Sequence, residues 1–171
     1  MATDTPTTGN QDAEITRLIS TFGDKNGSGI HDARKQLIDM GDSAVPQLVT
    51  ALSDQSTQVR WEAAKTLADV RSPAAAPALA TALNDDDGGV RWLAADGLGA
   101  LGRSGLKATL EALIAHSQSP VMREGAHHVL SVVAKDKQLA PMVKPVLDGL
   151  DGQVPAVACL EPAEAALKTL G

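Results

Sequence analysis

The chain repeats itself along most of its length with a period of about 31 residues. Residues 59–64 read Val-Arg-Trp-Glu-Ala-Ala, and residues 90–95 read Val-Arg-Trp-Leu-Ala-Ala. Apolar residues recur in step with these segments, in a first column of Leu37, Leu67, Leu98 and Val129 and a second column of Leu18, Leu48, Leu79, Leu110 and Val143. A period between roughly 20 and 50 residues indicates a supersecondary unit stacked on copies of itself. Such a stack usually builds an extended binding surface.

Each repeat carries the pattern of two amphipathic helices. Every column residue is followed three or four positions later by another apolar residue, which is the spacing of one buried helix face. The predicted helices span approximately residues 13–22, 31–40, 44–53, 59–70, 74–84, 90–101, 106–116, 121–133, 138–149 and 160–170. We therefore predict an all-α fold, a superhelical α-solenoid of about five helix pairs.

The 171 residues divide into two predicted parts. Residues 1–12 are polar and lack Lys and Arg, so we expect a disordered tail that is neither a secretory nor a mitochondrial signal. We expect one repeat domain at 13–171, with repeats at approximately 13–41, 42–71, 72–102, 103–134 and 135–171.

The composition limits which binding partners and which cellular location we expect. The net charge is −6 and no basic run or basic helix face occurs, which disfavours nucleic acid. No stretch of about 18 apolar residues is present, so we expect no membrane span. The single Cys159 cannot form an internal disulfide, and we interpret it as a packing residue. A cytoplasmic location is the corresponding expectation.

The repeat motif resembles that of a known family. The second helix of each repeat reads Val-Arg-x-x-Ala-Ala-x-x-Leu-x-x-Leu-Gly at residues 90–102, and closely related sequences occupy 59–70 and, more loosely, 121–132. These residues resemble the HEAT repeats, specifically the short bacterial type named after phycobilisome lyases. The fourth repeat departs from the motif, since Met122 stands where arginine is expected. The last repeat is the weakest, and we expect a long loop and a skewed terminal helix there.

The resemblance assigns a structural role to two arginines. Arg60 and Arg91 each follow an aspartate by six residues, Asp54 and Asp85 respectively. In the family this pairing ties neighbouring repeats together, because a guanidinium can bridge a carboxylate and loop carbonyls of adjacent units.

The resemblance also implies that the second helices line a concave face. Trp61 and Trp92 occupy the same repeat position there and, with Leu93, are typical of an interface anchor ringed by charges. An alternative interpretation has both indoles filling gaps between helices. The predicted partner-binding residues are Trp61, Glu62, Lys65, Trp92, Leu93, Asp96, Arg123, Glu124 and His127. Acids outnumber bases on this face, so we expect an apolar partner with a basic fringe.

Several kinds of chemical site do not fit the sequence. A calcium loop at residues 24–35 would need glutamate where Lys35 stands. No His is followed by Glu, which removes the iron site of HEAT-repeat hydroxylases, and an acidic face opposes a base glycosylase. We therefore predict no catalytic residue, no metal and no cofactor.

Two functions remain. The first is a non-catalytic protein-interaction scaffold of unidentified partner, either monomeric or weakly self-associating through its terminal repeats. The alternative is a phycobilin lyase-like subunit or chromophore-handling helper, in which the tryptophans would stack on a tetrapyrrole. Of the arginines, we expect only Arg123 on this face to be available for a tetrapyrrole's propionates.

Overall fold

The computed structural model of the chain describes residues 8–24 and 26–171, and the described residues contain helices but no strand. The α-helices are α1 Thr8–Ser20, α2 Ile30–Met40, α3 Val45–Ala51, α4 Thr57–Val70, α5 Ala76–Ala82, α6 Gly88–Ala100, α7 Arg103–Ala115, α8 Pro120–Val133, α9 Ala140–Leu150, α10 Pro155–Ala158 and α11 Leu160–Leu170. Short 3₁₀ turns occupy Thr21–Gly23, Gly41–Ala44 and Pro73–Ala75. The predicted all-α solenoid is confirmed.

The helices form two layers, as expected for stacked helix pairs. The first layer contains α1, α3, α5 and α7, and the second contains α2, α4, α6 and α8. The most extensive contact between described helices joins α4 to α6. Small residues make this approach possible, since a Cβ at Gly97 of α6 would lie 3.2 Å from the Cβ of Ala68 in α4.

The first helix begins earlier than expected. Helix α1 starts at Thr8, so the predicted disordered tail is wrong for residues 8–12. Gln11 of this helix donates a hydrogen bond to the Ser43 hydroxyl at 2.9 Å, and the Asp12 carboxylate accepts one from Gln47 of α3 at 3.2 Å. These contacts hold the polar segment on the repeat stack. The rest of the predicted tail, residues 1–7, lies outside the described residues.

The helix caps correct the repeat register. The N-caps of α4, α6 and α8 are Ser56, Asp87 and Ser119, so the step is 31 residues and then 32. The residue that corresponds to Leu98 is therefore Leu130, one position beyond the predicted Val129. Both Val129 and Leu130 are buried, which explains why the slip left the apolar column intact.

The last helix pair is reversed. Helix α9 packs against α8 in the second layer, and α11 packs against α7 in the first layer. Arg103 at the start of α7 donates to the carbonyl of Leu170 at the end of α11, at 3.1 Å, so these two helices run antiparallel. The prediction that Val143 continues the column of the first helices is wrong. The expected long connection is present at residues 151–159, and it contains α10.

In the described part of the chain no helix combines the length and the apolar character needed to cross a membrane.

Candidate functional site

Arg60 joins two neighbouring repeats. Its guanidinium donates to both carboxylate oxygens of Asp85 in the next repeat, at 2.8 and 3.0 Å, and also to the carboxylate of Asp86. The same group donates to the carbonyl of Asp54 at 3.0 Å. Asp54 therefore contributes its backbone, while its carboxylate accepts the N–H of Ser56 at 2.7 Å. The predicted arginine–aspartate tie is thus made across the repeat boundary, not within one loop.

The ion pair perturbs both partners. Burial acts to raise the pKa of Asp85, but hydrogen bonds from Arg60 and from the Asp87 backbone N–H outweigh it and hold the pKa below its usual value. The hydrogen bond to Asp85 raises the pKa of Arg60. Both groups are therefore charged at neutral pH.

Arg91 and Arg123 occupy the same register position as Arg60. Arg91 donates to the carbonyls of Asp85 and Asp86 at 2.9 and 3.1 Å, and Arg123 donates to the carbonyl of Ser117 at 2.6 Å. Each arginine thus binds the carbonyl six residues before it. The step from α6 to α8 is one residue longer than the step from α4 to α6, so this repeat position falls on Arg123 and not on Met122. The prediction that the fourth repeat lacks the arginine is therefore wrong. Arg123 holds a loop in place, and it does not lie among the residues that line the groove described next.

A groove of 460 Å³ lies between α6 and α8, in the second layer. We call it the α6–α8 groove, and it is lined by Gly88, Arg91, Trp92, Ala95, Glu124, Gly125, His127, His128 and Ser131. Its volume falls within the range of roughly 300–1,000 Å³ that is typical of small-molecule sites. Four of the predicted binding-face or structural residues lie here: Arg91, Trp92, Glu124 and His127.

Trp92 is the dominant side chain of the groove. It is 60% exposed, and its ring centroid lies 4.4 Å from that of His128, with the ring planes tilted by 45°. Aromatic pairs at this separation attract each other, which holds the indole over the groove. His128 is absent from the predicted site because of the register slip. In the corrected register it shares its position with Lys65 and Asp96, which the sequence did assign to this face.

Trp61 is placed differently from Trp92. It is only partly exposed and packs against the core. A Cβ at Gly89 would lie 3.1 Å from two atoms of its indole, so the ring covers the first turn of α6. The two tryptophans therefore share a register position but not an environment. Trp61 follows the gap-filling alternative, and Trp92 remains accessible.

The other predicted face residues divide between surface and interior. Asp96 is exposed, and Lys65 is half-buried and forms an ion pair with Asp69 at 3.7 Å. Leu93 packs against the core. The prediction that Glu62 faces solvent is wrong: it is buried, and its carboxylate accepts a hydrogen bond from Arg34 of α2 at 2.6 Å. Its position on α4 faces the preceding repeat, where Arg34 compensates the buried charge.

His127 lies at the edge of the groove towards the reversed pair. Its Nε2 is 3.2 Å from a carboxylate oxygen of Asp151, which follows α9. Within residues 8–24 and 26–171, no three His, Cys, Asp or Glu side chains are grouped closely enough to hold a metal ion. Cys159 is buried, and burial raises the pKa of its thiol. A buried, protonated thiol is a poor nucleophile.

A larger cavity of 640 Å³ lies in the first layer, between α3, α5 and α7. Its walls are mainly Ala, Val, Leu and Pro side chains, and of its two carboxylates, Asp85 and Glu111, the first is already bound by Arg60. The α6–α8 groove combines an accessible aromatic ring with an arginine and two histidines. It is therefore the better candidate for a binding site.

Comparison with known proteins identifies the family. The family model of HEAT repeats matches residues 18–96 and 45–131, and the chain belongs to this family. No curated protein matches the sequence.

A solved structure shows the same fold. It is a chain from the structure of the complex of CpcE and CpcF of phycocyanin lyase from Nostoc sp. PCC7120, with 29% sequence identity and a TM-score of 0.62. The alignment covers 91% of this chain and 98% of that chain. The resemblance to short HEAT repeats of the phycobilisome lyase type is thereby confirmed.

Proposed function

We propose that this protein is a subunit of a phycobilin lyase-like assembly and that it holds a linear tetrapyrrole in the α6–α8 groove. Two independent observations support the proposal. The chain is similar over 91% of its length to a chain of a phycocyanin lyase complex. It also presents an accessible aromatic platform on the face where the sequence predicted binding.

The Trp92–His128 pair is the observation that carries the proposal. A linear tetrapyrrole is a flat, conjugated molecule, and an indole held over an open groove offers it a stacking surface. The indole is 60% exposed, so part of its face is free for a ligand. Burial of a large aromatic surface of this kind dominates the energy of many binding sites.

The proposed role is to hold and orient the pigment within a larger assembly. Cys159 is buried and its thiol pKa is raised, so it is unsuited to carry the pigment as a thioether. We therefore assign the accepting cysteine to a protein partner. This assignment gives the chain both a small-molecule ligand and a protein partner.

The scaffold function, which the sequence favoured first, is the second candidate. The exposed Trp92 would also serve as an anchor for a protein partner. The likeness to a lyase chain favours the tetrapyrrole function over a generic scaffold. The two hypotheses differ in one measurable respect, which is whether the isolated protein binds a tetrapyrrole.

The test is a titration of the purified protein with biliverdin, a linear tetrapyrrole, followed by visible absorbance and by quenching of tryptophan fluorescence. We expect a saturable absorbance change in the wild type and a loss of at least tenfold in affinity in Trp92→Ala. Val157→Ala is the control, because Val157 is also an exposed apolar residue, at 61%, but lies outside the groove. No absorbance change in the wild type would reject the tetrapyrrole function and leave the scaffold.

A further inference from the structure

We infer that Arg91 is the anion anchor of the α6–α8 groove and binds a carboxylate of the ligand that stacks on Trp92. This inference deepens the proposed function and rests on it. It assigns to a named side chain the recognition of an acidic substituent, in addition to the recognition of a flat ring.

Arg60 and Arg91 differ in how many of their donors are occupied. Both occupy the same register position, and both donate to the loop carbonyl six residues earlier. The remaining donors of Arg60 are taken up by the carboxylates of Asp85 and Asp86. Arg60 therefore has no capacity left for a ligand.

The repeat that follows Arg91 places no carboxylate within ion-pair distance of its guanidinium, although Glu124 of that repeat lines the same groove. Asp85, the partner of Arg60, lies two residues before the N-cap of α6. The residue two before the N-cap of α8 is Ser117, which is buried. Within residues 8–24 and 26–171, no carboxylate oxygen lies within 4.0 Å of the Arg91 guanidinium. Serine in place of aspartate therefore leaves a permanently charged group with open donors.

The donors of Arg91 are held in a fixed position beside the groove. Nη1 is bound by the carbonyls of Asp85 and Asp86, which fixes the direction of the guanidinium. A Cβ at Gly88 would lie 3.5 Å from Nη2, which places this nitrogen beside the first turn of α6. Arg91 and Trp92 line the same groove. A guanidinium that is oriented in advance binds a planar carboxylate with little further loss of conformational entropy.

The ligand that fits this arrangement is a flat conjugated molecule with an acidic side arm. Linear tetrapyrroles carry propionate groups, so stacking on Trp92 and a propionate on Arg91 can be satisfied by one molecule. Glu124 lines the same groove and is a suitable acceptor for a pyrrole N–H.

The experiment compares two probes on the wild-type protein, biliverdin and its dimethyl ester. The ester keeps the conjugated chain but has no carboxylate. We expect the wild type to bind the diacid about tenfold or more tightly than the diester, because charge-assisted hydrogen bonds are the stronger class. We expect Arg91→Gln to lower the affinity for the diacid to that for the diester.

Arg123→Gln is the matched control. Arg123 makes the same bond to a loop carbonyl at 2.6 Å but does not line the groove. We expect it to lower the melting temperature about as much as Arg91→Gln does and to leave the ratio of diacid to diester affinity unchanged. Arg91→Lys, which keeps the positive charge, should retain part of the preference for the diacid.

The outcomes separate the role of Arg91 from the tetrapyrrole function. Equal binding of both probes by the wild type would overturn the role of Arg91 and leave the tetrapyrrole function in place. A preference for the diacid that persists in Arg91→Gln would also overturn the role of Arg91. If neither probe bound, the proposed function and the inference would both be wrong. Because the equal-binding outcome needs only the wild type, the role of Arg91 remains falsifiable even if a variant does not fold.

Discussion

Asp85 joins two neighbouring repeats through both its side chain and its backbone. Its carboxylate accepts hydrogen bonds from Nε and Nη2 of Arg60 and from the N–H of Asp87, and its carbonyl accepts one from Nη1 of Arg91. The side chain is 9% exposed, so solvent screens the ion pair only weakly. One aspartate thus orients a structural arginine of the preceding repeat and the groove arginine of its own repeat.

The first prediction concerns the loss of this carboxylate. Asp85→Asn should lower the free energy of unfolding by about 1–3 kcal/mol at pH 7, because it leaves a buried guanidinium partly uncompensated. Asp86→Asn is the control, since Asp86 is 88% exposed and should change stability by no more than about 0.5 kcal/mol. Urea denaturation of both variants measures the difference. Equal losses would show that the buried bidentate pair is not the stronger contact.

The second prediction is the pH dependence of the same pair. The pKa of Asp85 is lowered in the folded chain, so its contribution to stability is present at neutral pH and is lost as the pH falls through that lowered value. In the wild type this loss should appear below about pH 4, the ordinary range of an aspartate. Melting temperatures measured between pH 7 and pH 2 should therefore fall less steeply for Asp85→Asn than for the wild type. Parallel curves of melting temperature against pH for the two proteins would contradict a lowered pKa of Asp85 in the folded chain.

The third prediction separates the two tryptophans. Trp61→Ala should lower the free energy of unfolding by about 2 kcal/mol, less than for a fully buried tryptophan, because Trp61 covers α6 and packs on the core. Trp92→Ala should change it by less than about 1 kcal/mol, because its side chain is 60% exposed. Chemical denaturation monitored by circular dichroism measures both. A larger loss in Trp92→Ala would assign that indole to the core and remove it as a binding residue.

At the level of the helix, the small residues decide how closely neighbours approach. A Cβ on Gly105 of α7 would lie 1.9 Å from the carbonyl oxygen of Leu98 in α6. Backbone atoms cannot move aside as a flexible side chain can. The angle between α6 and α7 therefore depends on the absence of a side chain at this position, and the angle in turn positions the groove wall that α6 provides.

The fourth prediction tests this contact. Alanine favours a helix over glycine by about 1 kcal/mol, but in Gly105→Ala we expect the clash to dominate and to lower the free energy of unfolding by about 3 kcal/mol. Gly9→Ala is the control, because among the described residues no atom beyond its own stretch of helix lies within 4 Å of a Cβ there. It should be neutral or slightly stabilising. Thermal denaturation distinguishes the two, and a stable Gly105→Ala would show that α6 and α7 can separate without cost.

The helices themselves were largely predictable from the sequence, because buried faces leave a periodic apolar pattern. The exact register was not. Val129 and Leu130 are both apolar, so an additional residue between α6 and α8 does not disturb the pattern. That one residue moved Arg123 into the predicted site and left His128 out of it. The burial of Glu62 could not be predicted from the sequence either, because its partner Arg34 lies in another repeat and no local sequence pattern connects the two residues.

At the scale of the whole molecule, the reversal of the last pair could not be read from the sequence. The apolar face of an amphipathic helix predicts that it will be buried but does not specify the layer that it joins. Gly149 permits the close contact involved, since a Cβ there would lie 2.6 Å from the carbonyl oxygen of Ala158. The reversed pair covers α7 and α8 and brings Asp151 to the groove residue His127.

The fifth prediction follows from the repeat architecture. In a stack each unit contacts only its neighbours, so removal of residues 160–171 should destabilise α7 and α9, against which α11 packs. Hydrogen exchange measured by mass spectrometry should show reduced amide protection in α7, α8 and α9 and nearly unchanged protection in α3 and α4. A uniform loss across the chain would show that the repeats unfold as a single cooperative unit.

The inverted order of α9 and α11 also bears on how copies of this chain can associate. A solenoid whose two ends match can add units head to tail without limit and grow into a filament. Here a helix pair in the usual order would contact α9 and α11, which run in the opposite direction to the helices that such a pair normally packs against. A further helix pair of ordinary order could therefore not pack on α9 and α11 in the way that successive pairs pack on each other in the rest of the stack.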